Sequence, residues 1–144
     1  MATIKQAISS VQIEQCYPLM QFLRPHLVAR EFQEKVQRQQ TQGYQLVFVA
    51  EGEQAVALAG YRIQNFLAWG KVLYIDDLIT HPNQLKKGYA SQLLDWVIGE
   101  AEREQCAQIH LDSGYQRNDA HRLYLNKGFD LVSHHFAKRL VKND

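Results

Sequence analysis

Residues 72–98 read VLYIDDLITHPNQLKKGYASQLLDWVI. The first third is mostly apolar and predicts a β-strand, and the basic turn around Gly88 then leads directly into an amphipathic helix. This helix has the clearest periodicity in the chain, because six apolar residues recur on one stripe: Ala90, Leu93, Leu94, Val97, Ile98 and Ala101. A turn of this kind places backbone N–H groups beside the positive end of a helix, an arrangement that suits phosphate groups.

Periodicity divides the rest of the sequence into short strands and helices. We predict strands at residues 2–8, 45–51, 54–67, 71–80, 108–112, 129–133 and 136–141, and helices at 11–22, 27–40, 89–104 and from Asn118 to a glycine cap at Gly128. The order of these elements mixes hairpins with one helical crossover. It predicts a single α+β domain over residues 1–144, with a mixed, mostly antiparallel central sheet and helices on both faces.

Composition excludes several classes of protein. The chain has 144 residues, of which 46% are apolar and 22% charged, as in ordinary globular proteins. A net charge of +1 is too small for a nucleic-acid-binding protein that relies on bulk electrostatics. No stretch reaches the roughly 20 apolar residues of a membrane span, and the N-terminus lacks the apolar run of a signal peptide. We therefore expect a cytoplasmic protein with no nucleic-acid or membrane partner, whose Cys16 and Cys106 stay reduced.

The turn at Gly88 has two interpretations if residue types alone are considered. Gly88 and Ala90 leave the backbone open to a pyrophosphate, and Lys86 and Lys87 add positive charge. The alternative is a helix entered through a flexible turn with two solvated lysines. One glycine and one alanine do not decide between these interpretations.

A second motif follows at residues 118–129, which read NDAHRLYLNKGF. Together the two stretches resemble the GCN5-related N-acetyltransferase (GNAT) family. The family's turn is similar to Arg/Gln-x-x-Gly-x-Gly/Ala, and Gly88 and Ala90 match its second half, whereas Leu85 stands at its first position with Gln84 one residue earlier. Its second motif, Ala-x-x-Leu/Phe-Tyr-x-x-x-Gly-Phe, is matched by Ala120, Leu123, Tyr124, Gly128 and Phe129.

The resemblance implies a GNAT-like acyl-CoA N-acyltransferase fold and acetyl-CoA as co-substrate. It places the pantetheine arm along the backbone of Leu78, Ile79 and Thr80. It assigns the phosphates to the turn residues Leu85, Lys86, Lys87, Gly88, Tyr89, Ala90 and Ser91. Asn118 either contacts the CoA arm or caps its helix, and both roles stay open.

The resemblance also implies which side chains take part in catalysis. Tyr124 is expected to act as the general acid beside the CoA sulfur; packing under the sheet is the alternative. Asp76 or Asp77 is expected to bind the acceptor ammonium or receive its proton. Direct transfer to an ordinary aspartate is steeply uphill, so the proton is expected to pass through water or to a carboxylate whose pKa burial has raised. Adjacent strand residues point to opposite faces, so we expect only one to face the site. Each could instead be satisfied by an arginine or a backbone amide.

The sequence thus predicts an N-acetyltransferase that moves the acetyl group of acetyl-CoA to a primary amine of a small molecule or peptide, directly in a ternary complex. The alternative is a non-catalytic acyl-CoA-binding or regulatory domain. The acceptor is expected between residues 22–43 and 133–138, and the oligomeric state stays open, a homodimer included. No metal is expected, because His134 and His135 have no third ligand at a zinc-like spacing.

Overall fold

The computed structural model describes residues 3–141 and divides the chain into two compact units, residues 1–111 and 112–144. The first unit holds β1 (Thr3–Gln6), α1 (Ser10–Leu23), α2 (Ala29–Gln40), β2 (Tyr44–Glu51), β3 (Gln54–Phe66), β4 (Gly70–Thr80), a short 3-10 helix (Pro82–Gln84), α3 (Tyr89–Arg103) and β5 (Gln108–Leu111). The second unit holds α4 (Asn118–Asn126). Residue 2 of the predicted first strand lies outside the described residues, and a single domain over the whole chain stays a prediction.

The five strands of the first unit form one sheet in the order β1-β2-β3-β4-β5. Neighbouring strands are antiparallel except for β4 and β5, which run parallel. The parallel pair needs a crossover, which α3 supplies. The predicted mixed, mostly antiparallel sheet is confirmed.

Helices cover both faces of this sheet, as predicted. Helices α1 and α2 pack on one face of the sheet, where Ile13, Leu19 and Phe32 of the helices form one apolar cluster with strand residues. The strand residues are Tyr44, Leu46 and Phe48 of β2 and Leu58 of β3. On the other face Trp96 of α3 lies against Tyr61 of β3, with 6.3 Å between ring centroids. Leu93, Leu94 and Val97 of the predicted stripe are fully buried. The stripe therefore forms the buried side of α3.

Local sequence signals explain where α1 begins and where α4 ends. Ser9 caps α1, since its hydroxyl accepts from the Gln12 N–H while the Gln12 side chain accepts from the Ser9 N–H. Helix α4 ends at Asn126, and the predicted glycine follows its cap residue: Gly128 has a φ of 91°, and the Phe129 N–H donates to the Tyr124 carbonyl at 3.0 Å. Asn118 is the first residue of α4 and not its cap, so that alternative is wrong.

The two predicted strands at residues 129–133 and 136–141 are wrong. The structure assigns no strand to either range, and large apolar side chains there are exposed: Leu131, Val132, Phe136, Leu140 and Val141. Alternation of apolar residues makes a segment suitable for a sheet, but a strand forms only where its backbone pairs with a neighbour. No ladder among residues 3–141 includes either range.

Gly60 of β3 makes room for the buried ring of Tyr44, and this contact gives a stability prediction. A Cβ atom at position 60 would overlap the Tyr44 hydroxyl and lie 2.7 Å from ring atom Cε1. Gly60→Ala should therefore lower the free energy of unfolding by about 1–3 kcal/mol in urea titrations.

Gly99 of α3 provides the matched control, because a Cβ there meets only the Arg103 side chain at 3.5 Å. Gly99→Ala should leave stability unchanged or raise it by up to about 1 kcal/mol. In a Tyr44→Ala background the cost of Gly60→Ala should shrink, since the overlapping ring is gone. An equal cost in both backgrounds would show that the ring is not what position 60 must avoid.

Candidate active site

The parallel pairing of β4 with β5 stops halfway along β4. Residues 72–75 pair with 108–111, whereas residues 77–80 pair only with β3 and Asp76 pairs with neither strand. Among the described residues, no strand occupies the other side of 76–80. An extended arm that carries amide groups can add to such an edge as a further strand. The edge includes Leu78, Ile79 and Thr80, the residues that the resemblance assigns to the pantetheine arm.

Two buried polar atoms near this edge have no hydrogen-bond partner among residues 3–141. They are Thr80 Oγ1, at the end of β4, and Gln84 Oε1, in the 3-10 helix that follows. Buried polar atoms in native proteins are nearly always paired, so an orphaned one indicates a missing ligand or water. Thr80 ends β4, and Gln84 ends the 3-10 helix between β4 and Gly88.

The N-terminus of α3 is open to an anion. Gly88 is its cap residue, with φ at 82° and no side-chain capping bond, and the Gln92 N–H makes the first bond of the helix, to the Gly88 carbonyl. The N–H groups of Tyr89, Ala90 and Ser91 therefore have no partner within the helix. Helix α1, in contrast, begins with a capping box formed by Ser9 and Gln12. Donors of this kind can bind a phosphate, and the cofactor contacts of Gly88, Tyr89, Ala90 and Ser91 stay predictions.

The turn itself adds detail that the motif did not contain. Lys86 also adopts a left-handed conformation, with φ at 66°, and the side chains of Leu85, Lys86 and Lys87 are exposed. The Tyr89 hydroxyl contacts the Glu51 carboxylate in the β2–β3 hairpin. The Leu85 side chain has no polar group, whereas Gln84, one residue earlier, has the unpaired buried oxygen. The cofactor contacts of Leu85, Lys86 and Lys87 stay predictions.

A β-bulge lies at the acid pair. Gly60 is opposite Asp77 and Tyr61 is opposite Ile75, so Asp76 is the extra residue of β4. An extra residue cancels the alternation of side chains that a regular strand imposes. The prediction that the two carboxylates point to opposite faces is wrong, because both join one network around Tyr44.

Asp77 is held from two sides. Arg24, the residue after α1, donates to its Oδ1 from Nε at 3.0 Å, and the Tyr44 hydroxyl donates to its Oδ2 at 2.7 Å. Burial, and then the negative charge of Asp77, raise the pKa of Tyr44 well above its usual value of about 10. Tyr44 therefore remains a protonated donor at neutral pH.

Asp76 forms an ion pair with a second arginine, Arg62. Arg62 of β3 donates to both carboxylate oxygens, with Nη2 to Oδ2 at 2.6 Å, and its guanidinium lies over the Tyr44 ring at 5.4 Å from the centroid. Gln39 of α2 accepts a further bond from Arg62 at 2.9 Å. An arginine thus satisfies each acid, which is one of the two roles that the sequence left open. A role of either acid toward the acceptor amine stays a prediction.

Sequence reasoning missed Tyr44, Gly60 and Arg62 as partners of the acid pair. Tyr44 lies in β2, and Gly60 and Arg62 lie in β3, whereas the aspartates lie in β4. No sequence motif connects these residues. The two aspartates in an apolar strand required cationic partners, but the sequence did not reveal which arginines these are. Only the strand register and the end of α1 bring the partners together.

Tyr124 lies in α4, in the second unit. Its ring meets Phe129 edge-on at 6.1 Å between centroids, and burial raises the pKa of its phenol above about 10, with the Arg117 charge acting in the opposite direction. The phenol is protonated at neutral pH and can donate a proton. Asn118 stands in the first turn of the same helix.

A pocket of about 530 Å³ opens beside α1, on the face that α1 and α2 cover. It is lined by Gln15, Pro18 and Leu19 of α1, by His81 after β4, and by Glu51, Glu53, Gln54 and Ala55 around the β2–β3 hairpin. Pockets of this volume hold small molecules. Its two glutamates give it an acidic rim.

The cysteines and histidines show no reactive arrangement. Burial raises the pKa of Cys16 to about 12, and the pKa of Cys106 is raised as well, chiefly by burial. His135 Nδ1 lies 3.5 Å from an Asp112 carboxylate oxygen. Within residues 3–141 no three His, Cys, Asp or Glu side chains are grouped to hold a metal. None of the helices in this part of the chain is both long and apolar enough to cross a membrane.

Comparisons with known proteins agree with this geometry. The chain is 33% identical over 140 residues to the uncharacterized N-acetyltransferase YhdJ of Bacillus subtilis, covering 96% of this chain and 99% of the relative. It is also 33% identical over 66 residues to the aminoalkylphosphonate N-acetyltransferase of Salmonella typhimurium, covering 46% of this chain and 43% of the relative.

The fold resembles that of AAC(6')-Iy in complex with the bisubstrate analogue CoA-S-monomethyl-acetylneamine, with a TM-score of 0.80 at 15% identity and 99% of each chain covered. The sequence profile of the acetyltransferase (GNAT) family matches residues 11–129, which include the free edge of β4, the turn before α3 and the motif around Tyr124. The chain belongs to the GNAT family of acetyltransferases.

Proposed function

We propose that this chain is an N-acetyltransferase that moves the acetyl group of acetyl-CoA to a primary amine of a small molecule or peptide. The observation that carries the proposal is the free edge of β4 at residues 76–80, followed within eight residues by the uncapped N-terminus of α3 at Gly88. An extended amide-bearing arm and a pyrophosphate need these two surfaces in this order. Thr80 Oγ1 and Gln84 Oε1 offer further unpaired polar atoms along the same path.

Acetyl-CoA supplies an acetyl group activated as a thioester. The backbone of Leu78, Ile79 and Thr80 pairs with the pantetheine amides, and the N–H groups of Tyr89 and Ala90 bind the pyrophosphate. The exposed side chains of Lys86 and Lys87 add electrostatic attraction, which solvent weakens. The backbone cradle therefore contributes most to binding.

The amine must lose a proton before it attacks the thioester carbonyl. Asp76 and Asp77 are engaged by Arg62 and Arg24, so neither is a free base, and water relays the proton to solvent. As the new C–N bond forms, the C–S bond breaks and the electron pair goes to sulfur. Tyr124 donates a hydrogen bond or its proton to this thiolate. Its pKa above about 10 makes full transfer to a thiol of about 8.5 uphill, so hydrogen bonding contributes much of the effect.

Direct transfer in a ternary complex fits the cysteines of this chain. A covalent acetyl-enzyme needs an accessible thiolate. Burial keeps Cys16 protonated, and the raised pKa of Cys106 also disfavours its thiolate at neutral pH. Neither residue lies in the two motifs.

The second candidate is an acyl-CoA-binding or regulatory domain without turnover. Tyr124 would have no chemical task in such a domain, so its place in the matched motif favours the enzyme. The test is thiol release from acetyl-CoA by the purified chain over amines, amino acids, aminoglycosides, peptides and aminoalkylphosphonates, the last suggested by the Salmonella typhimurium relative. Acetyl-CoA binding without release for any acceptor would favour the binding domain. A cytoplasmic location and a homodimer remain predictions.

Cofactor binding should depend on the backbone at the start of α3. Gly88→Val forces a β-branched residue into a left-handed conformation, and Ala90→Glu adds bulk and negative charge beside the orphan N–H groups. Each should weaken acetyl-CoA binding by at least roughly tenfold in calorimetry, whereas Lys86→Ala should cost far less.

Gly43→Val is the matched control, because Gly43 also has a positive φ, 102°, but lies between α2 and β2. It should lower stability and leave acetyl-CoA affinity unchanged. Unchanged affinity in Gly88→Val and Ala90→Glu, with the fold intact by circular dichroism, would place the cofactor elsewhere.

Tyr124 should matter for the chemical step and not for holding the cofactor. Tyr124→Phe removes only the hydroxyl, so kcat should fall by at least roughly tenfold while acetyl-CoA affinity stays near wild type. The raised pKa keeps the phenol protonated beyond about pH 10, so any alkaline loss of kcat caused by Tyr124 should begin above that pH and disappear in the variant. Tyr115→Phe, which alters an exposed phenol in the same unit, should change nothing. A wild-type rate for Tyr124→Phe, with chemistry rate-limiting, would make Tyr124 a packing residue.

A further inference from the structure

We propose that Arg24 selects the acceptor, and that the acceptor is a primary amine with an anionic group, a carboxylate, phosphate or phosphonate, close to the amine. The inference rests on the proposed function and names the substrate class of the same site. It comes from the donors that Arg24 leaves unused, from its exposure and from its position at the bulge of β4.

Arg24 uses one side of its guanidinium and leaves the other open. Its Nε donates to Asp77 Oδ1 at 3.0 Å, and its Nη2 donates to the Asp76 carbonyl at 2.9 Å. Nη2 also lies 2.9 Å from Asp77 Oδ1 as an ion pair. These hydrogen bonds use two of the five N–H groups, one on Nε and one on Nη2. Nη1 makes no hydrogen bond within residues 3–141, so its two donors remain for a ligand. A planar guanidinium fixed on one side presents them in a defined direction.

Arg24, Asp77, Arg62 and Asp76 form a network of two ion pairs, and their exposed fractions show that Arg24 is the most accessible to solvent. The Arg24 side chain is 41% exposed and that of Asp77 is 13% exposed, while the Arg62 and Asp76 side chains are 20% and 24% exposed. The two arginines and two aspartates cancel in charge, so the network offers no net attraction to an ammonium. An anion can bind Nη1 and leave every existing bond intact.

The position of Arg24 relates this anion site to the free edge of β4. Asp76, whose carbonyl accepts from Arg24, is the first residue beyond the end of the β4–β5 pairing. The proposed pantetheine arm lies along this edge, so an anion on Arg24 holds the rest of the acceptor beside it. A short linker between anion and amine therefore suits the site.

The network holds Arg24 in place before any ligand binds. Asp77 accepts from the buried Tyr44 hydroxyl at 2.7 Å, and the Tyr44 ring is in turn confined by Gly60. A donor that is already ordered loses little conformational entropy on binding. This arrangement makes Arg24 a specificity-determining residue and not a flexible surface cation.

The test compares short amines that differ in charge. Acetylation of 2-aminoethylphosphonate and β-alanine is measured beside ethanolamine, which is neutral apart from its amine, and 1,3-diaminopropane, which is cationic. We expect wild type to prefer the two anionic amines. Arg24→Gln should lower kcat/KM for these two amines by at least roughly tenfold, mainly by raising KM. The kcat/KM for ethanolamine should change less than about twofold. Arg24→Lys should be intermediate, because a lysine keeps the charge and loses the fork.

Arg103→Gln is the control, since Arg103 is an exposed, ion-paired arginine at the end of α3. It should leave the preference unchanged. Urea titrations of each variant separate loss of folding from loss of recognition.

Three results would overturn the proposal. A wild-type preference for 1,3-diaminopropane that persists in Arg24→Gln would assign acceptor recognition to the pocket with Glu51 and Glu53. An equal loss for anionic amines and ethanolamine in Arg24→Gln would make Arg24 only structural. If no amine is acetylated, the transferase proposal fails. Calorimetric titration of 2-aminoethylphosphonate into wild type and Arg24→Gln, with CoA present, then still tests the role of Arg24. Equal binding to both proteins, or no binding, overturns the proposal for Arg24, and binding that is lost in the variant supports it.

Discussion

The end of the β4–β5 pairing at Ile75 is the constraint on which the rest of the site depends. Up to that residue β4 has a partner on both sides, and beyond it the outer edge of β4 is free. The bulge at Asp76 occupies the same place. A bulge bends a strand and increases its local twist. We therefore attribute the separation of the two strands to the extra residue, which opens an edge in the middle of a sheet where a regular ladder would have left none.

The bulge has a second effect, on charge. It brings two carboxylates to one side of the sheet, where two aspartates without counter-ions would be costly. Arg24 and Arg62 arrive from different elements and satisfy both acids. Breaking one partner of such a pair leaves a half-buried charge, which costs more than the pair itself contributes. Stability of the bulge and the chemistry presented to an acceptor are therefore coupled in the same four side chains.

The starts of α1 and α3 differ in how their backbone N–H groups are satisfied. Ser9 and Gln12 close the start of α1 with two reciprocal hydrogen bonds. Gly88 offers no side chain to the start of α3, so three N–H groups are left without a partner in the helix. Leaving these groups unpaired has a cost in stability, and a bound anion offsets it. We propose that this anion is the pyrophosphate of acetyl-CoA.

The sequence by itself determined the α+β class, the mixed sheet with helices on both faces, and the strand–turn–helix unit around Gly88, because these depend on short-range periodicity, capping residues and glycine conformation. It also determined the family, through two motifs that each lie within a continuous stretch. Periodicity alone mispredicted strands at 129–133 and 136–141, because strand formation depends on a pairing partner that no local pattern specifies.

Only the tertiary structure decided which groups meet at the acid pair. The face that each aspartate presents depends on an extra residue in the β3–β4 register, and the alternation rule, which assumes a regular strand, predicted opposite faces. Arg24, Tyr44, Gly60 and Arg62 are distant from the aspartates in sequence and become neighbours only through strand register and helix packing. Contacts of this kind arise from long-range pairing, so they follow from the three-dimensional arrangement and not from any local pattern of residues.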